Sequence, residues 1–270
     1  MHSAAAALLA PLPLSLSHWL QQALATVSDR PLLLGIVGLP GCGKSTWAQR
    51  LGAWARDQGL GWLAVSLDDF YLEPAERLAR GFPRRGPPGT HDLERLNRFL
   101  GQVGSDVTAS GERTVHSPIF DRDAERRLPD RVVTYPTEKP LRLCLIEGWF
   151  VGAHAPGYEG LAAALDRQVY LDMPEEAARD ARLAREAALR ATGKPAMSAP
   201  DVEAFWAEAL APGFARWVYP LRRGADVVIT LDAQHVPTAV DIHPRTDDTR
   251  TGPAPQSAAC SPDHQTTEQR

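Results

Sequence analysis

Leu34-Gly-Ile-Val-Gly-Leu-Pro-Gly-Cys-Gly-Lys-Ser-Thr-Trp-Ala-Gln-Arg50 is the stretch from which the rest of this 270-residue chain can be read. Gly38, Gly43, Lys44 and Ser45 satisfy the pattern G-x-x-x-x-G-K-[ST]. The apolar run from Leu32 to Val37 enters it as a buried strand would, and Thr46 to Arg56 leave it with helical spacing at Trp47, Leu51 and Trp54. Strand, loop and helix are therefore expected in that order. Glycines 38, 41 and 43 allow backbone N–H groups to turn inward, and the following helix adds the partial positive charge of its N-terminus. Lys44 can reach β- and γ-phosphates, and the hydroxyl of Ser45 can ligate Mg²⁺. Gly38, Leu39, Pro40, Gly41, Cys42, Gly43, Lys44, Ser45 and Thr46 are thus expected to cradle a nucleoside triphosphate.

Composition narrows the classes around that loop. A hydrophobic content of 44% suits a globular chain with a sizeable core, and a formal charge of −4 argues against general affinity for nucleic acid. Cys42, Cys144 and Cys260 are odd in number and scattered, which suggests neither a disulfide framework nor a zinc site and fits a reducing cytoplasm. The apolar stretch from Ala4 to Leu16 has no Lys or Arg before Arg30 and is interrupted by Pro11 and Pro13, so a secretory signal is not expected. No run approaches the roughly 20 apolar residues of a membrane span.

Residues 1–27 read as a leader followed by an amphipathic helix from Ser15 to Ser28, with Leu16, Trp19, Leu20, Leu24 and Val27 on or near one face. Further apolar strands are expected at Leu60–Leu67, Leu141–Ile146, Val169–Met173 and Ala225–Leu231, the last being the terminal one. Helices are expected at Leu93–Val103, Glu175–Ala191 and about 200–217. Residues 73–92, rich in arginine, proline and glycine, read as a mobile substrate loop, and 104–140 as a polar segment with a charged run from Arg122 to Arg131. Strands too hydrophobic to have a wet face, alternating with helices, imply a three-layer α/β domain over 28–232, its mostly parallel sheet covered on both faces. From 233 to 270 the composition turns polar and a disordered tail is expected.

The strand ends carry the acids. Asp68 and Asp69 follow the second strand and Glu147 ends the one after it, where open parallel sheets bind ligands. Phosphoryl transfer needs a group that orients the attacking hydroxyl and a metal ligand near the phosphates, so Asp68 is the candidate base and Glu147, with Ser45, the candidate Mg²⁺ site. Each acid has a plainer use as a turn cap, most evenly balanced at Asp69. Arg179, Arg182 and Arg185 lie on one broad helix face that suits a lid over phosphates or a solvated surface paired with Glu176 and Glu186. Arg85 is the candidate carboxylate clamp, beside His91 and Asp92.

At these residues the chain resembles a known group. Gly38 to Thr46, Ser66-Leu-Asp-Asp-Phe-Tyr-Leu72, Arg85-Gly-Pro-Pro-Gly-Thr-His-Asp92, Pro118-Ile-Phe-Asp121 and Ile146-Glu-Gly-Trp-Phe150 are similar, in order, to motifs of the phosphoribulokinase and uridine kinase group of P-loop kinases. Within it they look most like D-glycerate 3-kinase of the plant and bacterial type. The resemblance implies ATP and Mg²⁺ as cofactors, Asp68 as catalytic base, and acceptor contacts from Asp69, Tyr71, Arg85, His91, Asp92 and Asp121. It also implies a small-molecule acceptor with a hydroxyl, and no nucleic-acid or membrane partner. The short link between Trp149 and the strand at 169 is similar instead to the compact nucleoside and pantothenate kinases. A switch or ATPase without an acceptor is the alternative of another class, and the chain lacks the Asn-Lys-x-Asp signature of guanine binding.

Overall fold

Strand β1 (Leu32–Gly38) is buried along its whole length, which a strand can be only when sheet neighbours flank it and helices cover both faces. The computed structural model describes residues 11–105 and 112–243. In it β1 pairs in parallel with β5 (Leu141–Glu147) on one side and β6 (Arg167–Asp172) on the other. β2 (Gly61–Ser66) lies outside β5, β7 (Val227–Leu231) outside β6 and β8 (Pro237–Ile242) outside β7, giving a six-stranded sheet in the order β2-β5-β1-β6-β7-β8. Three layers with a mostly parallel sheet are the observed architecture. Among the described residues no helix is long and apolar enough to cross a membrane.

Helices take the expected places. α1 (Leu14–Ala25) buries Leu16 and Leu20 fully, each contributing about 1.5–3 kcal/mol of burial, and its Trp19 and Leu24 join the same core. α2 (Lys44–Asp57) follows the phosphate loop, α4 (Leu93–Gly104) starts on Asp92, the short α5 (Glu159–Ala164) precedes β6, and α6 (Glu175–Ala191) follows it. The helix expected near 200–217 begins as α7 (Ala199–Phe205) and continues through π-helical turns at Trp206–Leu210 and Phe214–Val218. Pro212 lies between those turns; its ring cannot accommodate an ordinary i−4 hydrogen bond, so the ladder widens around it.

Two expectations are corrected, and the polar segment 104–140 gains a structure. The tail does not begin at 233: β8 (Pro237–Ile242) adds to the sheet edge antiparallel to β7, because backbone pairing with an already ordered strand needs few apolar side chains. Residues 1–10 of the leader and 244–270 of the tail lie outside the described residues. The segment 104–140 holds a hairpin, β3 (Arg113–Asp121) against β4 (Arg126–Tyr135), with a register shift at Pro118, which has no N–H to give. Its Tyr135 hydroxyl donates to the Trp62 carbonyl at 2.8 Å, occupying part of the free edge of β2. Finally, residues 73–92 are not a loose loop throughout: Leu78 to Gly81, Pro83 and Arg84 are exposed, but the end of the segment is folded onto the domain. They contain α3 (Pro74–Ala79), Leu72 N–H donates to Thr90 O at 3.0 Å, Asp92 N–H donates to Phe70 O at 2.7 Å, and Thr90 and His91 are buried.

Candidate active site

β1 ends at Gly38 and the loop turns back onto α2 through Gly41 (φ +93°) and Gly43 (φ +90°), backbone conformations that a side chain would strain. Gly43 caps α2 in the left-handed region with no side-chain cap, so the first-turn N–H groups are left for an anion. Lys44 Nζ donates to Gly38 O at 3.0 Å and Leu39 O at 2.9 Å, which folds the ammonium over the loop. Leu39 and Cys42 are buried beneath it and Pro40 is half-buried, whereas Ser45 and Thr46 are exposed. A Cβ on Gly41 would lie 2.2 Å from the Ala178 carbonyl oxygen of α6. Gly41→Ala therefore combines backbone strain with a backbone clash, each costing about 1–3 kcal/mol. A lower melting temperature and at least about tenfold weaker ATP binding are expected by differential scanning fluorimetry and calorimetry.

The register of the sheet brings the acids to this loop. Glu147 pairs with Ile36 on β1 and with Ser66 on β2, so one strand end lies between the other two. Ser45 Oγ donates to Glu147 Oε1 at 2.8 Å. Burial pushes the buried Glu147 carboxyl above its ordinary value, opposed by the Lys44 charge and the Ser45 hydrogen bond. This hydroxyl–carboxylate pair is the hard-oxygen donor set Mg²⁺ uses; that ion is ordinarily held by one or two protein oxygens together with phosphates and water.

Asp68 sits one turn beyond β2, in the 3₁₀ segment Leu67–Phe70. Its Oδ1 accepts the Tyr71 hydroxyl at 2.8 Å and its Oδ2 faces Arg122 at 3.7 Å. Burial alone would raise its pKa; Arg122 chief among its neighbours, with the Tyr71 hydrogen bond and Lys44, more than offsets this and holds it below the usual carboxylate range. Asp69 is used differently: its Oδ2 accepts the Ser66 N–H at 3.2 Å in a reciprocal cap, and burial raises its pKa. The Asp69 contact expected for an acceptor is thus a turn contact.

Other expected acceptor residues divide. Asp92 caps α4 through Arg95 N–H at 3.0 Å and pairs with Arg127 at 3.2 Å. Asp121 Oδ1 accepts the Asp123 and Ala124 N–H groups at 3.0 and 2.9 Å, so this oxygen builds the hairpin turn. Arg85 donates to Glu125 Oε1 at 2.6 Å, and Glu125 Oε2 accepts from the buried Arg77 at 3.1 Å. Tyr71 stacks on His91 at 4.5 Å between ring centroids. His91 Nδ1 is 2.7 Å from the Tyr158 hydroxyl, which also accepts the Gly89 N–H at 3.0 Å.

Burial lowers the His91 pKa to about 4, against a partial opposing pull from Asp68. The unfolded chain protonates first as pH falls from about 6.5, so the folded state loses up to about 3 kcal/mol by pH 4 from this group. Urea unfolding of His91→Phe is expected to show a shallower loss of stability between pH 7 and 4.5 than the wild type.

The arginine helix lies against the phosphate loop through Ala178. Arg182 is tied to Glu186 at 3.0 Å and Arg179 faces Glu203 at 3.8 Å, while Arg185 is exposed. Two residues of the site are absent from the sequence reading as named contributors. Arg122 reaches Asp68 from the hairpin tip. His235, in the turn between β7 and β8, brings Nε2 within 2.7 Å of Gly41 O. Neither has a local motif; for Arg122 the only signal was the charged run itself.

No protein-family model matches the chain. An uncharacterized kinase of Schizosaccharomyces pombe is 36% identical over 135 residues, 46% of this chain and 47% of that protein. The chloroplastic D-glycerate 3-kinase of Arabidopsis thaliana is 32% identical over 133 residues, 45% of this chain and 29% of that protein. The chain spans about half the length of the first curated relatives it matches. Among solved structures, D-glycerate 3-kinase from Cryptococcus neoformans superposes with a TM-score of 0.69 at 17% identity, over 85% of this chain and 98% of that one, a likeness of fold. The homologues and structural neighbours of this chain are P-loop kinases of the phosphoribulokinase and uridine kinase group, D-glycerate 3-kinase among them.

Proposed function

We propose that this chain is an ATP-dependent kinase that transfers the γ-phosphoryl group to a hydroxyl of a small metabolite, D-glycerate ahead of a nucleoside or a pantothenate-like acid. The observation that carries the reading is the meeting of three strand ends: Lys44 and Ser45 after β1, Glu147 on β5 and Asp68 after β2. Loop amides and Lys44 hold the phosphates, and Ser45 with Glu147 holds Mg²⁺. When bound, the ion neutralises charge on the β- and γ-phosphate oxygens. Asp68 accepts the hydrogen bond of the acceptor hydroxyl and takes its proton. A weakly basic carboxylate suits this step, because in a loose transition state the proton leaves late and orientation matters more than basicity. The Arg179, Arg182 and Arg185 face of α6, packed beside the loop, serves as the phosphate-side wall.

The short link after Trp149 supports the nucleoside reading as runner-up, so the test is an acceptor screen. Purified protein with Mg²⁺ and ATP is offered D-glycerate, uridine, cytidine, pantothenate and sugars, and ADP release is followed. Strong stimulation by a single hydroxyl compound over a low basal rate is the expected result. Hydrolysis that ignores every acceptor would favour a switch or ATPase and remove the kinase reading.

A further inference from the structure

The arginine that faces the base is not the one the motif suggests. Glu125 bridges Arg85 and Arg77 at 2.6 and 3.1 Å, so a carboxylate of this chain already fills that clamp. Displacing it would leave the buried Arg77 guanidinium without its charge partner, a costly state. Arg122, by contrast, lies 3.7 Å from Asp68 and donates to Ser66 Oγ at 3.3 Å, both long contacts for a group with five N–H donors in a planar fork. Its side chain keeps 34% of its surface exposed and that of Asp68 keeps 31%, so neither is sealed from solvent. The hairpin fixes its position: Asp121 pins the turn, and on the strand behind it Arg127 pairs with Glu76 and Asp92 while Asp130 pairs with Arg95 of α4. Asp68, Asp69 and Glu147 together would repel an anionic acceptor, and Arg122 is the cation of the hairpin set among them.

We propose that Arg122 is the specificity-determining residue of this site, pairing with an acid group that the acceptor carries within a few bonds of the hydroxyl held by Asp68. This rests on the kinase reading and goes deeper into it. A hydroxyl on Asp68 and a carboxylate on Arg122 are separated by about the span of a short hydroxy acid, whereas a nucleoside offers no anion at that range and gains nothing from the guanidinium.

The test separates this inference from the kinase reading. D-glycerate is titrated calorimetrically into wild type, Arg122→Met and Arg122→Lys, each saturated with Mg²⁺ and a non-hydrolysable ATP analogue, and turnover is measured with D-glycerate and with its neutral amide, glyceramide. The expected result is a D-glycerate Kd raised by about 30-fold in Arg122→Met and by less in Arg122→Lys, with a smaller rise in KM for glyceramide, so that the preference for D-glycerate over glyceramide falls by about tenfold. Unchanged D-glycerate affinity in Arg122→Met, equal losses for both acceptors, or no binding of D-glycerate by wild type overturns the inference. If Arg122→Met does not fold, a drop in the preference for D-glycerate over glyceramide in Arg122→Lys supports it, and an unchanged preference overturns it. Binding that depends on Arg122 without any transfer of phosphate would instead overturn the kinase reading and leave the inference standing.

Discussion

Asp68→Asn is expected to lower phosphoryl transfer by about 10²–10⁴-fold while ATP affinity stays within about twofold of wild type. The reason is local. Asparagine keeps the shape that accepts the Tyr71 hydroxyl at 2.8 Å but loses the charge that faces Arg122 and the capacity to take a proton. Neither contact belongs to the phosphate loop, whose lysine and glycines are untouched. The sign of the pH dependence follows from the same neighbours. Arg122 and the other donors hold the Asp68 pKa below the ordinary carboxylate value of 3.8, so it is fully ionised at neutral pH and is lost as base only when pH falls through that lowered value. Wild-type kcat/KM should therefore show no acid limb from Asp68 between about pH 5 and 8. In Arg122→Met burial is less opposed, the pKa rises, and an acid limb should move up toward that window. Single-turnover transfer rates and nucleotide titrations on both variants check this; equal transfer by Asp68→Asn and wild type would remove Asp68 from the role and turn attention to Asp69.

What the sequence makes legible is what covalent adjacency encodes. Gly38 to Thr46 lie in one loop because they are consecutive, and Asp68 and Glu147 come to it because each ends an apolar run that must be a buried parallel strand. Their roles remain a proposal, but their meeting place could be read without coordinates. The hairpin could not. Its exposed positions mix charged, polar and apolar residues, Val132 included, and its buried ones are few, among them Val115, Ser117 and Phe120, so the alternation is faint. Much of what holds it is ionic, Arg127 with Glu76 and Asp92, and Arg95 with Asp130, pairings between residues 35 to 51 positions apart that no local pattern announces. The same holds for Arg85 and Glu125, 40 positions apart, and for His235 and Gly41, 194 apart. The motif drew attention to Arg85 but carried no sign of the internal acid that pairs with it. β8 was invisible for another reason: it is half-exposed at a sheet edge and is ordered by backbone pairing rather than by apolar content.

Lys44→Met should have the second large effect, a fall of about 10²–10³-fold in phosphoryl transfer with weakened nucleotide binding, the loss expected when one preorganised donor is withdrawn from a developing charge. The lysine has two tasks in this structure, and the prediction must separate them. Its ammonium donates to the carbonyls of Gly38 and Leu39 at 3.0 and 2.9 Å, so it also ties the start of the loop to the first turn of α2. Were that tie its main task, Lys44→Met would cost stability; hydrogen bonds from a charged donor contribute about 1.5–3 kcal/mol each when buried, and less here because the group is only part-buried. Phosphates offer the same ammonium stronger, charged acceptors, so binding nucleotide should draw it from the two carbonyls, and the tie acts only in the nucleotide-free protein. The expected outcome is therefore a modest fall of the thermal midpoint without nucleotide, and a stabilisation by Mg²⁺ and ATP that is large in wild type and small in Lys44→Met. A variant that loses several degrees without nucleotide yet gains as much from ATP as wild type would show that the ammonium serves the loop and not the phosphates. Lys44→Arg sharpens the comparison, since it keeps the charge but presents a planar fork in place of a compact point donor, and transfer should remain low.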